Sequence, residues 1–200
     1  MSTPLLQNAE LDALTEVCNI GMEHAATALS QLMGKGVAIQ VPRLQFMDAA
    51  RLSELLDAQE VTALHLQILG NVRGSILVLL RQENAQRILE LLLGSLPKEG
   101  EPLSEMERAT LMEVGNILAS ACLNALGNTL KMTLLPSVPT LVKGKAAELL
   151  SRVMEQGVEG EAIVMVDTMF SVSDASCGGS IFLIPATASL ATMLGALENK

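Results

Sequence analysis

A glutamate and an asparagine recur at a three-residue spacing in two places along the chain, as Glu16 with Asn19 and as Glu113 with Asn116. Residues three apart on a helix share a face, so the carboxylate and the carboxamide of each pair can address one ligand. An exposed glutamate is usually only solvated. An asparagine inside a helix is more informative, because its side chain competes with the backbone for hydrogen bonds. The pair is therefore a candidate site that needs further support.

That support comes from a repeat. The second pair follows the first by 97 residues (113 − 16 and 116 − 19), and twenty-two residues separate each asparagine from a proline, Pro42 or Pro139. Repetition at one offset indicates one supersecondary unit used twice. The prolines are predicted to be structural and to end the strand after each motif helix.

Bulk composition narrows the function classes. The 200 residues carry 13 basic and 22 acidic side chains, a formal charge of −9. This balance disfavours nucleic acid or an anionic membrane as partner, because phosphate binding needs clustered Lys and Arg.

The N-terminus resembles no signal peptide, and no apolar run is expected to span a bilayer, so the prediction is a cytoplasmic protein without membrane insertion. Cys18, Cys122 and Cys177 lack metal or disulfide spacing and should be reduced, buried thiols.

Periodicity and turn signals predict the elements of the first half. The motif helix should run from Glu10 to Met33 with Asn8 as a possible N-cap. The expected strands are 37–41, stopped by Pro42, then 44–47, 61–69 and 74–80, and the further helices are 49–56 and 83–93, the last closed by Gly94.

The second half repeats this order after a linker at 97–102. Ser104 and Glu107 form a capping box that opens a helix to about Leu126, ended by Gly127 and Asn128. The elements expected next are strand 129–135, helix 145–155, strands 161–172 and 179–184, and helix 188–197. The prediction is an α/β fold in which two β-α repeats (8–95 and 103–200) share one continuous sheet, with the motif helices packed on it, as a single pseudo-twofold domain spanning 1–200.

The first motif helix should bury one stripe and expose another. The apolar stripe is predicted to face the core, which assigns Cys18 to packing rather than catalysis. The polar stripe, which carries the first motif, should face water or a partner. The buried stripe comprises Leu11, Leu14, Cys18, Met22, Ala25, Leu29 and Leu32, and the polar stripe comprises Asp12, Glu16, Asn19 and Glu23. His24 is expected to be a surface histidine without metal partners.

The motif resembles that of the CheC/CheX/FliY family of bacterial chemotaxis phosphatases. The family pattern places Asp or Ser four residues before the glutamate, and a proline after twenty-two residues that follow the asparagine. The first copy fits throughout, with Asp12 in the leading position, whereas the second has Ala109 there. The resemblance spans the whole chain, and two motif copies are similar to the CheC branch.

The resemblance implies a phosphatase acting on the phospho-aspartate of the chemotaxis regulator CheY. It implies that Asn19 or Asn116 holds the attacking water and that Glu16 or Glu113 pairs with a regulator lysine, all four being the expected catalytic residues. No cofactor of its own is expected, because the Mg²⁺ would belong to the regulator. The missing acidic residue at Ala109 predicts that the second site is the weaker. The alternative is a non-catalytic adaptor of the same fold that binds the deamidase CheD or flagellar-switch components.

Overall fold

The computed structural model describes residues 8–47, 56, 59–95, 101–155, 163–172 and 175–198. Its helices are α1 (Asn8–Met33), α2 (Gln82–Leu93), α3 (Glu105–Leu130), α4 (Ala146–Glu155) and α5 (Thr187–Glu198). Its strands are β1 (Val37–Met47), β2 (Glu60–Gly70), β3 (Gly74–Arg81), β4 (Leu134–Pro136), β5 (Thr140–Lys145), β6 (Ile163–Val172) and β7 (Ala175–Pro185).

Strands from both halves of the chain form one sheet. The order is β1-β6-β7-β3-β2-β4, with β5 also paired to β2, and the neighbouring strands pair antiparallel. Predicted counterparts from the two halves occupy equivalent places in this order. Strands β1 and β4 are at its two ends, β6 and β2 are next to them, and β7 and β3 are at the centre. The continuous sheet confirms the predicted architecture. That the two halves superpose in space, and that they form a single domain, stay predictions.

Helices cover both faces of the sheet. On one face α1, α2 and α3 pack on alternate residues of the central strands, such as Leu64, Leu66 and Ile76. On the other face α4 packs on the intervening residues, such as Leu77 and Phe182. Burial alternates along the second half of β2, because Leu64, Leu66 and Ile68 are buried whereas Gln67 is exposed. The motif helices therefore lie on the same face of the sheet.

Both motif helices differ from the predicted bounds. Helix α1 begins at Asn8, two residues before the expected start, so that Asn8 belongs to the helix rather than preceding it. Helix α3 has the predicted capping box, but it continues past Gly127 and Asn128 to Leu130 and ends where Lys131 adopts the left-handed conformation with φ 55°. The predicted strand 129–135 is accordingly wrong: its first residues are helical, and β4 begins at Leu134.

Strand β1 contradicts the prediction that Pro42 ends a strand. It is one continuous strand, Val37–Met47, with a register irregularity between Gln40 and Arg43. Three steps along β1 there correspond to two steps along β6, so β1 contains one extra residue. Proline has no N–H to donate to the ladder, and the bulge allows the strand to continue on both sides of Pro42.

The other helices and strands of the described residues lie within a few positions of their expected bounds, except that β5, which pairs with β2, has no predicted counterpart. The predicted helix 49–56 and the linker 97–102 lie mostly outside the described residues. On α1, Cys18, Met22, Ala25 and Leu29 are buried as expected, but Leu32 is 53% exposed, so the buried stripe ends earlier than predicted.

The expectation that no segment could span a bilayer needs a correction. By length and composition, α3 is apolar enough to do so, and it is the one such helix among the described residues. Half of its most apolar window is buried within the fold, against α1 and the sheet. Burial in a core accounts for that apolar character, since a fully packed helix is hydrophobic on several sides.

Candidate functional site: two Glu/Asn pairs on α1 and α3

The first pair lies in the middle of α1. Glu16 is exposed and Asn19 is partly buried, while Cys18 between them is buried as predicted. Gly21, two residues further on, lies against α3: a Cβ atom at Gly21 would stand 2.7 Å from the Ala125 Cβ. The pair is therefore carried by a helix that packs closely on the other motif helix.

The Asn19 carboxamide is held by backbone. Its Oδ1 accepts a hydrogen bond from the Val41 N–H at 2.9 Å. Its Nδ2 donates to the carbonyl oxygens of Thr15, at 3.1 Å, and of Val41, at 3.4 Å. An asparagine side chain has two N–H donors and two acceptor lone pairs. Both donors and one lone pair are thus engaged by the protein.

The second pair lies in the middle of α3. At the start of that helix, Ser104 accepts from the Glu107 N–H while the Glu107 carboxylate accepts from the Ser104 N–H, which satisfies two N–H groups that the helix leaves unpaired. Gly115, inside the motif, faces β2, and a Cβ there would stand 2.7 Å from the Leu64 Cδ1. A glycine between Glu113 and Asn116 therefore allows α3 to approach the central sheet.

The second pair has the same exposure as the first, but its asparagine differs in its hydrogen bonds. Glu113 is exposed and Asn116 is partly buried, as in the first copy. Among the residues that the structure describes, none makes a hydrogen bond to the Asn116 carboxamide. The two copies therefore share a sequence motif and a helical setting, but they differ in what the carboxamide contacts.

The motif prolines mark equivalent irregularities in the two halves. In β1, Val41 and Pro42 have no register partner and lie opposite Thr168. In the second half, four steps from Pro136 to Thr140 correspond to three steps from Ile68 to His65, so one extra residue falls in this gap as well. Ser137 retains its bond to β2, since its N–H donates to the Gln67 carbonyl at 2.9 Å, which leaves Val138 and Pro139 opposite Leu66.

The two bulges differ in exposure. Val41 is buried and holds Asn19, whereas Val138, at the same distance from Asn116, is 85% exposed. The constant spacing between asparagine and proline therefore has a structural meaning in the first half: the asparagine reaches the residue before the proline. Sequence reasoning missed this contact, and the only signal for it was the spacing itself.

The other predicted positions are less informative. Asp12 lies in α1, but its side chain is outside the described part of the structure, as is that of Pro42. Ala109 is exposed on α3. His24 is exposed, as predicted. In the described ranges no group of three or more His, Cys, Asp or Glu side chains is placed to hold a metal ion.

The cysteines are free and buried, which confirms the expectation of core thiols. Cys18 of α1 and Cys122 of α3 contact each other, and the hydrogen bond with Cys18, together with burial, raises the pKa of the Cys122 thiol well above its ordinary value. Burial also raises the pKa of Cys177. A thiol that resists deprotonation is a poor nucleophile, so Cys122 and Cys177 pack the core rather than perform chemistry.

The fold of this chain is shared with a solved structure. It is similar to the crystal structure of Thermotoga maritima FliY, with a TM-score of 0.78 and 18% sequence identity over 98% of this chain and 99% of that one. The described sheet with its two motif helices is therefore a known architecture.

Sequence comparison identifies the family. The model of the CheC-like family matches residues 10–45 and 106–142, the segments that contain both motif copies. The chain is 31% identical to the Bacillus subtilis CheY-P phosphatase CheC over 86% of this chain and 83% of that protein. It is 27% identical to CheC1 of Halobacterium salinarum over 98% of this chain and 100% of that protein. The chain belongs to the CheC-like family.

Proposed function

We propose that this protein is a phosphatase that hydrolyses the aspartyl phosphate of a CheY-type response regulator. Family membership and the name of the Bacillus subtilis relative support the activity. The observation that carries the proposal within the structure is the Glu113–Asn116 pair. It presents an exposed carboxylate and, one helical turn away on α3, a carboxamide that makes no hydrogen bond to the part of the chain that the structure describes.

The chemistry asks for little covalent assistance. An aspartyl phosphate is an activated acyl phosphate, and water attack on phosphorus releases inorganic phosphate and the aspartate carboxylate. Phosphoryl transfer is accelerated mostly by positioning the nucleophile in line and by stabilising charge. A neutral carboxamide can bind a water molecule through its oxygen and its N–H groups, and it does not repel the phosphoryl oxygens as a carboxylate would.

The two residues then take different roles. Asn116 holds the attacking water against the phosphoryl group. Glu113 pairs with a lysine of the regulator, and such a charge-assisted hydrogen bond would fix the docking geometry. The divalent ion is proposed to belong to the regulator, so the chain brings side chains and no metal. The protein is proposed to act in the cytoplasm, where such regulators signal.

The activity is tested by measuring phosphate release from a CheY-type regulator that has been phosphorylated with acetyl phosphate in the presence of Mg²⁺. Wild-type protein should accelerate the release, and Asn116→Ala and Glu113→Gln should each lose most of that acceleration, about a hundredfold for a misplaced water. Asn124→Ala, which removes an exposed asparagine two turns further along α3, is the matched control and should keep the activity. Decay no faster with wild type than with Asn116→Ala would leave the adaptor alternative, in which the fold binds partners such as CheD without catalysis.

A further inference from the structure

We infer that the two motif copies have divided their roles: Asn19 is a structural clamp on the edge strand β1, and the hydrolytic chemistry belongs to the Asn116 copy. The hydrolytic role of Asn116 rests on the proposed function. The clamp role of Asn19 rests on hydrogen bonds of the described residues and can be tested without any regulator.

Strand β1 stands at one end of the sheet order and pairs with β6 on one side. The backbone N–H and C=O groups on the other side of such a strand need partners, because a buried polar group without a hydrogen bond costs free energy. Helix α1 supplies partners at two places. The Val37 N–H donates to the Ser30 Oγ at 2.9 Å, and the Val41 N–H donates to the Asn19 Oδ1 at 2.9 Å.

The backbone N–H and carbonyl of Val41 require the Asn19 side chain as a hydrogen-bond partner. It lies in the bulge before Pro42, has no partner in the β6 register and is 4% exposed. The carboxamide satisfies both of its backbone groups, because Asn19 also donates to the Val41 carbonyl at 3.4 Å. One side chain therefore satisfies the N–H and the carbonyl of a buried residue that has no register partner in β6.

The same contacts leave Asn19 poorly suited to holding a catalytic water. With both N–H groups directed at backbone carbonyls, it retains one acceptor lone pair. If the Asn19 carboxamide turned away to bind a water molecule, the buried Val41 N–H would lose its hydrogen-bond partner. In the second half the position of Ser30 is taken by Gly127 (30 + 97), which has no side chain, and Val138 is exposed, so neither contact of the clamp has a counterpart on α3 among the described residues.

The motif alone predicts the opposite ranking of the two sites, because the first copy retains Asp12 and the second has Ala109. That ranking stays a prediction from the motif. The hydrogen bonds favour the reverse order, since a carboxamide that is committed to the backbone cannot serve the substrate equally well.

The first experiment is amide hydrogen exchange under native conditions, measured residue by residue by NMR. In wild type the Val41 amide should exchange slowly. Asn19→Ala should speed its exchange at least tenfold, and the unfolding equilibrium constant should rise about 5- to 150-fold, the cost of a buried N–H without a partner. Ser30→Ala is the matched control: it should release the Val37 amide and leave the Val41 amide protected.

Asn116→Ala should change neither the exchange of the Val138 amide nor the unfolding transition. If Asn19→Ala does not fold, Asn19→Asp replaces it: its carboxylate can still accept from Val41 but cannot donate, so a loss of stability with a protected Val41 amide is expected. Unchanged Val41 exchange in a folded Asn19→Ala protein would overturn the clamp, and so would an Asn19→Asp protein as stable as wild type if Asn19→Ala does not fold.

The second experiment compares phosphate release by Asn19→Ala and Asn116→Ala well below their unfolding transitions. Asn116→Ala should lose about a hundredfold and Asn19→Ala less than about threefold. A loss in Asn19→Ala as large as that in Asn116→Ala would overturn the division of roles. If wild type itself releases no phosphate, the proposed function fails, whereas the exchange experiment still decides the clamp.

Discussion

The contact between the two motif helices at Gly21 can be tested by adding one methyl group. In Gly21→Ala the new Cβ would stand 2.7 Å from the Ala125 Cβ and 2.8 Å from the Ala121 carbonyl oxygen. Carbon atoms in contact are normally about 3.5–4.0 Å apart. Both obstructing atoms are rigid, one being backbone and the other the first side-chain atom, so the helices must separate to admit the methyl group.

The magnitude follows from two opposing effects. Overpacking a core site typically costs about 1–3 kcal/mol, and replacing glycine by alanine inside a helix returns about 0.5–1 kcal/mol. The net loss for Gly21→Ala is therefore roughly 0–2.5 kcal/mol, and the overpacking alone makes it about 1–3 kcal/mol less stable than an unobstructed glycine-to-alanine change in a helix. For a chain of this size each kcal/mol lowers Tm by about 2–4 °C, so Tm should fall by up to roughly 10 °C.

The assay is thermal unfolding followed by circular dichroism, with Gly195→Ala as control. Gly195 lies in α5, and a Cβ there meets no atom of the described residues within 4 Å, so the helix-forming effect of alanine should dominate. Its Tm should rise by roughly 1–4 °C, from about 0.5–1 kcal/mol. A Gly21→Ala protein that gains as much stability as Gly195→Ala would show that α1 and α3 do not approach as closely as described.

Three further predictions concern capping, acid stability and the thiols. Ser104→Ala should lower the free energy of unfolding by about 1 kcal/mol, measured by urea denaturation, because it removes the N-cap of α3. Burial lowers the pKa of His65, so the native state binds fewer protons than the unfolded chain, and the wild-type free energy of unfolding should fall below about pH 6.5 more than that of His65→Gln. Because the pKa values of Cys122 and Cys177 are raised, stability should be complete near neutral pH and fall as the pH rises above about 8.5; iodoacetamide should label these thiols, and Cys18, only after denaturation.

Each of these has an outcome that would contradict it. Equal urea midpoints for Ser104→Ala and wild type would mean that the cap adds nothing to α3. Parallel acid profiles for wild type and His65→Gln would remove the histidine from the acid response, although it is hydrogen-bonded to Ser75 at 3.0 Å. Rapid labelling of the native protein would contradict the burial of the three cysteines.

Local stop signals were the least reliable part of the sequence interpretation. Gly127 and Asn128 were expected to end α3, since glycine commonly follows the last turn of a helix. Gly127 instead remains helical and buried, and a Cβ there would stand 2.6 Å from the Met132 carbonyl oxygen. This glycine permits a close approach of the chain that returns after the helix. Close approach between distant backbone segments leaves no local pattern, so the two reasons for a glycine look the same in sequence.

The amino-acid sequence by itself determined the repeated Glu/Asn pairs, the apolar stripe of α1, the capping box of α3 and the succession of strands from both halves. These features follow from helical and strand periodicity and from a constant offset, which need no knowledge of the tertiary contacts. Only the tertiary structure decided what each asparagine contacts. Asn19 and Asn116 are equivalent in sequence, but α1 lies against the bulged edge strand, where the Asn19 carboxamide binds Val41. The Asn116 carboxamide makes no hydrogen bond within the described ranges. The physical reason is that a hydrogen bond is decided by the position of a backbone group that belongs to another element, and the motif does not encode that position.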